Sequence, residues 1–314
     1  MCFQITGNVS KKMKKKIIVS SSDSKYFELL KELHESLINN DILEEYDFGI
    51  LDTGLLSKEI EYFKDHGSIV KKAEWNVQVP SYKIRNRDHL KTQVARAFLP
   101  DYFNNYKVYI WLDADTWVND KDTFLLFEKG AIKNKLCITP QIDRAYGKLA
   151  TADWFLGIPS KIRTINYKNI SKSVSYALGR KYSLHATLNA GAFALNNSDK
   201  LWKIIQKNTF LAAKKGRIFG TDQVALALSV YEDNIPAEFL PAYTNWMCEF
   251  HLPHINHLEN KFVEPYLPHH PIGLMHLAGL DEIRDNKKKL VNIIDLNGNI
   301  NNLSIRFKKN RNND

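Results

Sequence analysis

KVYIWLDAD, residues 107–115, is the part of the sequence from which the architecture follows. A run of β-branched and aromatic residues predicts a buried strand, and it ends in two carboxylates one residue apart. Side chains alternate along a strand, so in a straight strand Asp113 and Asp115 would point the same way and could bind one divalent cation. Open α/β sheets bind their ligands at this carboxyl edge. The pair by itself suits two acidic turn residues at least as well, so the rest of the chain has to separate the two interpretations.

The composition is that of a globular chain whose positive charge is concentrated at its ends. With 314 residues and 44% apolar side chains, the chain can build a large α/β domain. The net charge is +9, but removing the nine basic residues within 11–16 and 306–311 leaves 35 basic against 35 acidic side chains. We expect basic solvated tails at 1–14 and 286–314, with an anionic membrane surface as an alternative partner and nucleic acid as a less favoured one.

Three widely spaced cysteines, Cys2, Cys137 and Cys248, indicate reduced thiols and argue against a disulfide framework. The N-terminal lysines are not followed by an apolar run of signal-peptide length. No window approaches the roughly 20 apolar residues that a membrane span needs. The sequence therefore predicts a cytoplasmic protein that is soluble or peripheral at a membrane.

Strand and helix patterns alternate along the chain, which is typical of a mostly parallel sheet flanked by helices. The predicted strands lie at 17–20, 48–51, 68–71, 107–112 and 136–139, with an apolar stretch at 187–195 and a last strand after 238. The predicted helices lie at 24–39, 57–64, 88–98, 199–208 and 224–230. We expect Pro100 to stop the third helix. A single domain, 15–285, is expected, in which 141–186 is an insertion or mobile cover.

Other candidate functional side chains lie at the ends of these elements. They are Asp23 and Tyr26 after the first strand, Arg96 before the Asp113 strand, Asn189-Ala190-Gly191, Asp222-Gln223 at a helix start, and His276 with Gly279 after an apolar run. Taken singly, each also suits a structural role, such as an ion-paired arginine, a close backbone approach, a first-turn acid or a core histidine. Their order along the chain is more informative than any one of them.

In that order the residues resemble the glycosyltransferase A (GT-A) fold and, within it, the family 8 glycosyltransferases, which include glycogenin and bacterial lipooligosaccharide galactosyltransferases. The resemblance spans about residues 15–280. It implies an α/β, Rossmann-like, mostly parallel central sheet flanked by helices, followed by a C-terminal extension. Asp23 and Tyr26 match the acid and the aromatic ring that hold uracil in that family. Arg96 matches an arginine that reaches the donor.

The same resemblance implies the metal site. Asp113 and Asp115 match the family's Asp-x-Asp, and His276 matches the third metal ligand, in a His-x-x-Gly that ends at Gly279. Purely oxygen ligands would favour Mg²⁺, whereas an added imidazole moves the preference toward Mn²⁺.

The sugar site follows from two further matches. Asn189, in Asn189-Ala190-Gly191, matches an asparagine that contacts the donor sugar. Asp222 and Gln223 match an Asp-Gln pair that lies beside the transferred sugar, where they can orient hydroxyls and stabilise a positive anomeric centre. The resemblance therefore assigns catalysis to Asp222, Gln223 and Asn189.

One position departs from the family pattern. In the family, a lysine six residues beyond the metal-binding histidine binds the donor diphosphate. Here the histidine is His276, and the corresponding position is Glu282. Arg284 or the lysines at 287–289 could replace it if the segment folds over the site, although a lysine run is more often a solvated face.

Together these features predict a metal-dependent retaining glycosyltransferase that uses a nucleotide-sugar, most plausibly a UDP-sugar. The acceptor would be a carbohydrate, a lipid-linked glycan or a protein, with 141–186 near the acceptor side. Two alternatives remain open. One is a nucleotide-sugar-binding protein without turnover. The other is a phosphohydrolase of the haloacid dehalogenase type, which Trp117 and the late position of the Asp-x-Asp disfavour.

Overall fold

The computed structural model describes residues 14–147, 150–215 and 218–309. The strands are β1 (Lys16–Ser22), β2 (Tyr46–Asp52), β3 (Ile69–Lys72), β4 (Val108–Leu112), β5 (Thr116–Val118), β6 (Leu136–Pro140), β7 (Ala150–Phe155), β8 (Ile158–Thr164), β9 (Leu188–Asn196), β10 (Ala237–Phe239), β11 (Trp246–Met247), β12 (His254–Asn256), β13 (Lys261–Val263), β14 (Leu274–His276), β15 (Val291–Ile294) and β16 (Ile300–Leu303). The α-helices are α1 (Phe27–Asn39), α2 (Ser57–Asp65), α3 (Ser81–Ile84), α4 (Thr92–Ala95), α5 (Leu99–Tyr102), α6 (Thr123–Ile132), α7 (Ile165–Ser173), α8 (Tyr176–Lys181), α9 (Asp199–Lys215), α10 (Thr221–Tyr231) and α11 (Asp281–Asp285). Short 3₁₀ turns cover Ser24–Tyr26, Ile42–Glu44, Asp88–Lys91, Arg96–Phe98 and Ala242–Asn245.

The strand that carries the Asp-x-Asp lies at the middle of a seven-stranded sheet with the order β10-β6-β9-β4-β1-β2-β3. Its neighbour β1 is parallel to it, and β2, β3, β6 and β10 extend the sheet in parallel pairs. Only β9 runs against its neighbours, antiparallel to both β4 and β6. The prediction of a mostly parallel α/β sheet is confirmed. The carboxyl ends of β1 and β4 and the amino end of β9 therefore meet at one edge.

The core lies on both faces of this sheet, because alternate side chains of a strand face opposite sides. All five residues of β4 are buried. Tyr109 and Trp111 belong to the apolar cluster on one face, whereas Ile110 and Leu112 belong to the cluster on the other. Full burial of a side chain of this size stabilises the fold by roughly 1.5–3 kcal/mol. A strand buried on both faces is a rigid base for the two carboxylates that follow it.

A smaller sheet, with the order β11-β14-β5, brings a distant histidine to the same edge. β14 is antiparallel to β5, and the register places His276 opposite Thr116. The backbone N–H of Leu277 also donates to the carbonyl of Asp115 over 3.0 Å. Strand register alone therefore fixes His276 beside the Asp-x-Asp turn.

The prediction of one helix over 88–98 is wrong. The segment folds as a series of short 3₁₀ and α turns, and Pro100 lies in the first turn of α5 instead of ending a helix. Proline is tolerated there because the first N–H groups of a helix have no partner within the helix. These short turns still place Arg96 at the carboxyl edge of the sheet.

The segment 141–186 contains more secondary structure than its composition suggests. Its described residues include the β7–β8 hairpin and the helices α7 and α8. α7 packs against α9 and α10. None of the helices in the described residues combines the length and the apolar content that a bilayer crossing needs.

The expectation of a solvated C-terminal tail is wrong for Arg306, which is only 2% exposed. β15 and β16 form an antiparallel hairpin just before it. Residues 1–13 and 310–314, which belong to the predicted basic tails, lie outside the described residues.

The contact between α6 and β6 gives a test of packing. A Cβ added at Gly130 would lie 2.0 Å from the Cys137 sulfur. We expect Gly130→Ala to lower the free energy of unfolding by about 1–3 kcal/mol, despite the better helix propensity of alanine. Combining it with Cys137→Ala should cost less than the sum of the two single changes, because the sulfur that clashes is gone. Urea denaturation of the four proteins measures this coupling, and strictly additive losses would contradict the packing described.

Candidate metal and nucleotide site

Three potential metal ligands meet at the carboxyl edge of the central sheet. Asp113 and Asp115 lie in the turn between β4 and β5, and His276 ends β14. One ligand atom from each lies within 4.8 Å of the other two. The Nε2 atom of His276 is 3.5 Å from Oδ1 of Asp115. The structure thus brings together all three residues that the sequence predicts as metal ligands.

The histidine is oriented as a metal ligand should be. Its Nδ1 lies 3.1 Å from the Oδ1 atom of Asn245, closer than the 3.4 Å contact with Asn189. A proton on Nδ1 can be donated to this carbonyl oxygen, and in that tautomer Nε2 keeps its lone pair. Nε2 is buried and has no hydrogen-bond partner in the described part of the chain. A buried nitrogen without a partner is costly, and a cation held with the two carboxylates would satisfy it.

The electrostatics of the cluster are strongly coupled. Burial opposes ionisation of Asp115, yet His276 and Arg284 together lower its pKa to about 2. Burial also disfavours a charged imidazole, but the carboxylate of Asp115 outweighs it and raises the pKa of His276. Asp115 is therefore ionised at neutral pH. A bound cation and a proton on His276 would compete for the same negative charge.

Gly191 is the reason that these groups can approach so closely. A Cβ at this position would lie 2.2 Å from Cε1 of His276 and 3.0 Å from Oδ2 of Asp113. The carbonyl of Gly191 also accepts the backbone N–H of Asp113 over 2.7 Å. The backbone N–H of Gly191 donates to Oδ1 of Asn189 over 2.9 Å. The Asn189-Ala190-Gly191 segment is thus the buried wall behind the carboxylates.

Trp111 and Arg96 fix the orientation of Asp113. The indole N–H of Trp111 donates to Oδ1 of Asp113 over 2.8 Å, and Nη2 of Arg96 lies 3.0 Å from the same oxygen. The guanidinium also lies 4.4 Å from the centre of the Trp111 ring, which is a cation–π contact. With Oδ1 engaged by two donors, Oδ2 is the oxygen that faces Gly191 and His276. The sequence analysis did not assign Trp111 to the site, although its spacing of two from Asp113 places both on one side of the strand.

Arg96 also connects the metal cluster to the predicted sugar site. Its Nη1 atom lies 2.8 Å from Oδ2 of Asp222 and donates to the Ala190 carbonyl over 2.8 Å. Arg96 is 3% exposed, so the interpretation as a surface ion-pairing residue is wrong. Burial raises the pKa of Asp222, Arg96 opposes that shift, and the charge of Asp113 adds to it. One guanidinium therefore pairs with two carboxylates, Asp113 after β4 and Asp222 in the first turn of α10.

Gln223 is held by a residue that no motif in the sequence identifies. The side chain of Asn169, in α7, donates to Oε1 of Gln223 over 3.3 Å. The backbone N–H of Gln223 donates to Oδ1 of Asp222 over 2.8 Å. The 141–186 segment thus reaches the predicted sugar site through α7. Nothing in the local sequence signals this contact, because it depends on how α7 packs against α10.

A cavity of about 300 Å³ opens in front of the two aspartates. The predicted residues that line it are Asp23, Tyr26, Arg96, Asp113 and Asp115. The lining does not include Gly279, which adopts a positive φ of 76° and leaves no room for a Cβ beside Glu249. Gly279 therefore has a structural reason to be glycine. The cavity joins the predicted base-binding residues to the metal cluster.

Arg284 occupies the side of the cavity where the family pattern would lead one to look for a lysine. It lines the cavity, its Nη1 atom lies 3.0 Å from Oδ2 of Asp115, and its guanidinium lies 5.6 Å from the centre of the Tyr26 ring. Its Nε atom is buried without a hydrogen-bond partner among the described residues. Glu282 instead points outward and pairs with Lys289 over 2.7 Å. Of the two replacements left open by the sequence, Arg284 is the one at the cavity.

Comparison with solved structures confirms the fold. The galactosyltransferase LgtC in complex with donor and acceptor sugar analogs aligns over 84% of this chain and 87% of its own, at 17% identity and a TM-score of 0.51. An active-site mutant of LgtC aligns over the same shares at 16% identity and a TM-score of 0.50. A glycosyltransferase involved in the glycosylation of the major capsid of PBCV-1 aligns over 86% of this chain and 96% of its own, at 13% identity and a TM-score of 0.44.

No protein-family model and no curated protein sequence matches the chain. At identities of this size, the two LgtC alignments establish a shared GT-A fold and leave the activity to be argued from the site. The α/β, GT-A expectation is confirmed on this basis, with the central sheet as its common element.

The close approach at Gly191 gives a direct test of the metal cluster. We expect Gly191→Ala to weaken Mn²⁺ binding by at least about 10-fold, because the new methyl group must displace His276 or Asp113. Gly147→Ala is the matched control, since a Cβ at Gly147 meets nothing within 4 Å. Electron paramagnetic resonance of free Mn²⁺ during a titration measures both variants. Equal affinities for Gly191→Ala and the wild type would show that the cation is bound elsewhere.

Proposed function

We propose that the chain is a metal-dependent, retaining glycosyltransferase that moves a hexose from a nucleotide-sugar, a uridine diphosphate sugar in the first instance, to a carbohydrate, lipid-linked glycan or protein acceptor. The observation that carries the proposal is the convergence of Asp113, Asp115 and His276, of which the two aspartates line the cavity. Asp23 and Tyr26 line the same cavity. The GT-A fold supports the same assignment, because open α/β sheets bind ligands at the carboxyl ends of their strands.

Asp113, Asp115 and His276 are the residues that would hold the cation. Two carboxylates and an imidazole suit Mn²⁺, with Mg²⁺ as the alternative. When bound, the cation supplies positive charge that stabilises a departing diphosphate. The residues themselves are held in place beforehand, Asp113 by Trp111 and Arg96 and His276 by Asn245. Such prior orientation lowers the cost of assembling the charged site.

Arg284 supplies a second positive charge at the same end. Its guanidinium lines the cavity and touches Asp115, so it can also contact a diphosphate bound there. A planar guanidinium can donate two parallel hydrogen bonds to phosphate oxygens. We therefore assign to Arg284 the diphosphate contact that Glu282 cannot make.

The nucleoside end of the cavity is formed by Asp23 and Tyr26. One oxygen of Asp23 accepts the backbone N–H of Tyr26 over 3.2 Å, which fixes the carboxylate in the turn after β1. The ring of Tyr26 provides a flat surface for a base, and a carboxylate oxygen can accept an N–H of uracil. The ring also borders Arg284, so base and diphosphate would be bound by adjacent groups.

The transferred sugar would lie toward Asp222, Gln223 and Asn189. Arg96 keeps the carboxylate of Asp222 paired, and Asn169 restrains the amide of Gln223. Fixed polar groups of this kind can orient sugar hydroxyls and stabilise positive charge at the anomeric carbon. Asn169 belongs to 141–186, which supports placing this segment on the acceptor side of the sugar.

Removing the metal carboxylates gives the test of this function. Asp113→Asn and Asp115→Asn should each lower Mn²⁺-dependent release of UDP from the best of a panel of UDP-hexoses by about 100-fold or more, because one ligand charge is lost. Glu282→Gln is the matched control, since Glu282 is exposed and pairs only with Lys289 among its described ion pairs. Full turnover in either aspartate variant would refute the proposal. UDP-sugar binding without any turnover in the wild type would favour the binding-protein alternative.

The role of Arg284 is tested separately. We expect Arg284→Gln to raise the Kd of UDP in the presence of Mn²⁺ by roughly 10-fold or more, the value of a charge-assisted hydrogen bond. Glu282→Lys, which restores a lysine at the family position, should leave the Kd nearly unchanged because that side chain points away from the cavity. Isothermal titration calorimetry measures both. A gain in affinity for Glu282→Lys would show that the segment folds differently over the site.

A further inference from the structure

Arg306 is a fully buried arginine in a stretch that reads as a solvated tail. Its Nε and Nη2 atoms donate to the two carboxylate oxygens of Glu32 over 2.7 and 2.9 Å. Its Nη1 atom donates to the backbone carbonyls of Ile283 and Arg284 over 3.0 and 2.8 Å. The guanidinium therefore binds a side chain from α1 and the carboxyl end of α11 at the same time.

These two partners belong to two different helices that adjoin the proposed nucleotide cavity. Glu32 lies in α1, the helix that directly follows the turn carrying Asp23 and Tyr26. The carbonyls of Ile283 and Arg284 belong to α11, which carries the cavity arginine. A helix of five residues leaves its last carbonyls without partners inside the helix, so they need outside donors. Arg306 supplies those donors and ties α11 to α1.

The chemistry of this contact requires arginine. A buried ion pair is stable only when the geometry is good and the remaining hydrogen-bonding groups are satisfied, because both charges have left water. The planar fork of Arg306 meets a bidentate carboxylate on one side and two carbonyls on the other, which a lysine ammonium cannot reproduce. The contact therefore restrains direction as well as distance between α1 and α11.

A second contact from the same segment reaches the metal cluster. The carbonyl of Ile305 accepts the indole N–H of Trp117 over 2.9 Å. Trp117 lies in β5, opposite Met275 of β14, and the next residue of β14 is His276. Residues 305 and 306 thus touch both the strand pair that fixes the histidine and the helix that carries Arg284.

We propose that Arg306 is a positioning residue for binding of a nucleoside diphosphate, and that it acts through Arg284. By holding the Arg284 carbonyl, it keeps the Arg284 guanidinium between the Tyr26 ring and Asp115. The C-terminal segment is then part of the donor site. This inference rests on the proposed function, since the diphosphate is the ligand that Arg284 would contact.

The test is a double-mutant cycle between Arg306 and Arg284, with UDP and Mn²⁺ as the probe in calorimetry. Arg306→Lys keeps the charge but loses the fork, and should raise the Kd of UDP about 10-fold, because a small displacement of a binding group is costly. In the Arg284→Gln background the same change should have almost no effect on the Kd. This non-additivity is the readout that a merely structural arginine would not produce.

Two further proteins make the cycle decisive. Lys287→Ala is the matched control, because Lys287 also pairs with Glu32, over 3.0 Å, but is half-exposed and has no described contact with the α11 carbonyls. It should bind UDP like the wild type. The pair Arg306→Met with Glu32→Leu removes both buried charges together, which a folded core can tolerate, and should weaken UDP binding as Arg306→Lys does.

The possible results separate the two proposals. Wild-type affinity in the Arg306 variants, or fully additive effects with Arg284→Gln, would overturn the role of Arg306 and leave the proposed function intact. Failure of the wild-type protein to bind UDP with Mn²⁺ would overturn the proposed function and this role with it.

Discussion

The register between β5 and β14 is the constraint on which the rest of the site depends. It sets His276 opposite Thr116, one residue beyond the Asp-x-Asp, across 161 positions of sequence counted from Asp115 to His276. A shift of one residue would turn the imidazole to the other face of its strand. The close approach at Gly191 then leaves room for the ring. The β5–β14 register and the absence of a Cβ at Gly191 therefore determine whether the three side chains can share a cation.

Arg96 links the proposed metal ligands and the proposed sugar-binding residues electrostatically. It lies between Asp113 and Asp222, within 3.0 Å of one and 2.8 Å of the other. Two carboxylates this near would repel each other, and burial would favour neutralising one of them by protonation. The guanidinium allows both to stay close to their working positions. Arg284 pairs with Asp115 over 3.0 Å and lines the same cavity.

The sequence predicted what short-range pattern can determine. The run ending at residue 112 had to be a strand buried on both faces, and the ordered motifs placed Asp113, Asp115 and His276 in one cluster, as found. Arg306 could not be predicted in this way, because its partner Glu32 lies 274 residues away and composition describes a basic end without showing whether it is buried. The contact of Asn169 with Gln223 could not be predicted for the same reason, because the two residues lie 54 positions apart. The roles of these residues in binding and transfer remain proposals that rest on geometry.

The most direct test of the account is the position of the cation itself. Crystals soaked with Mn²⁺ and UDP, measured at the manganese absorption edge, would reveal the metal by its anomalous scattering. We expect a single strong peak coordinated by Asp113, Asp115 and Nε2 of His276, with the diphosphate of UDP between that peak and Arg284. A peak at another place, or UDP bound with no peak beside His276, would contradict it.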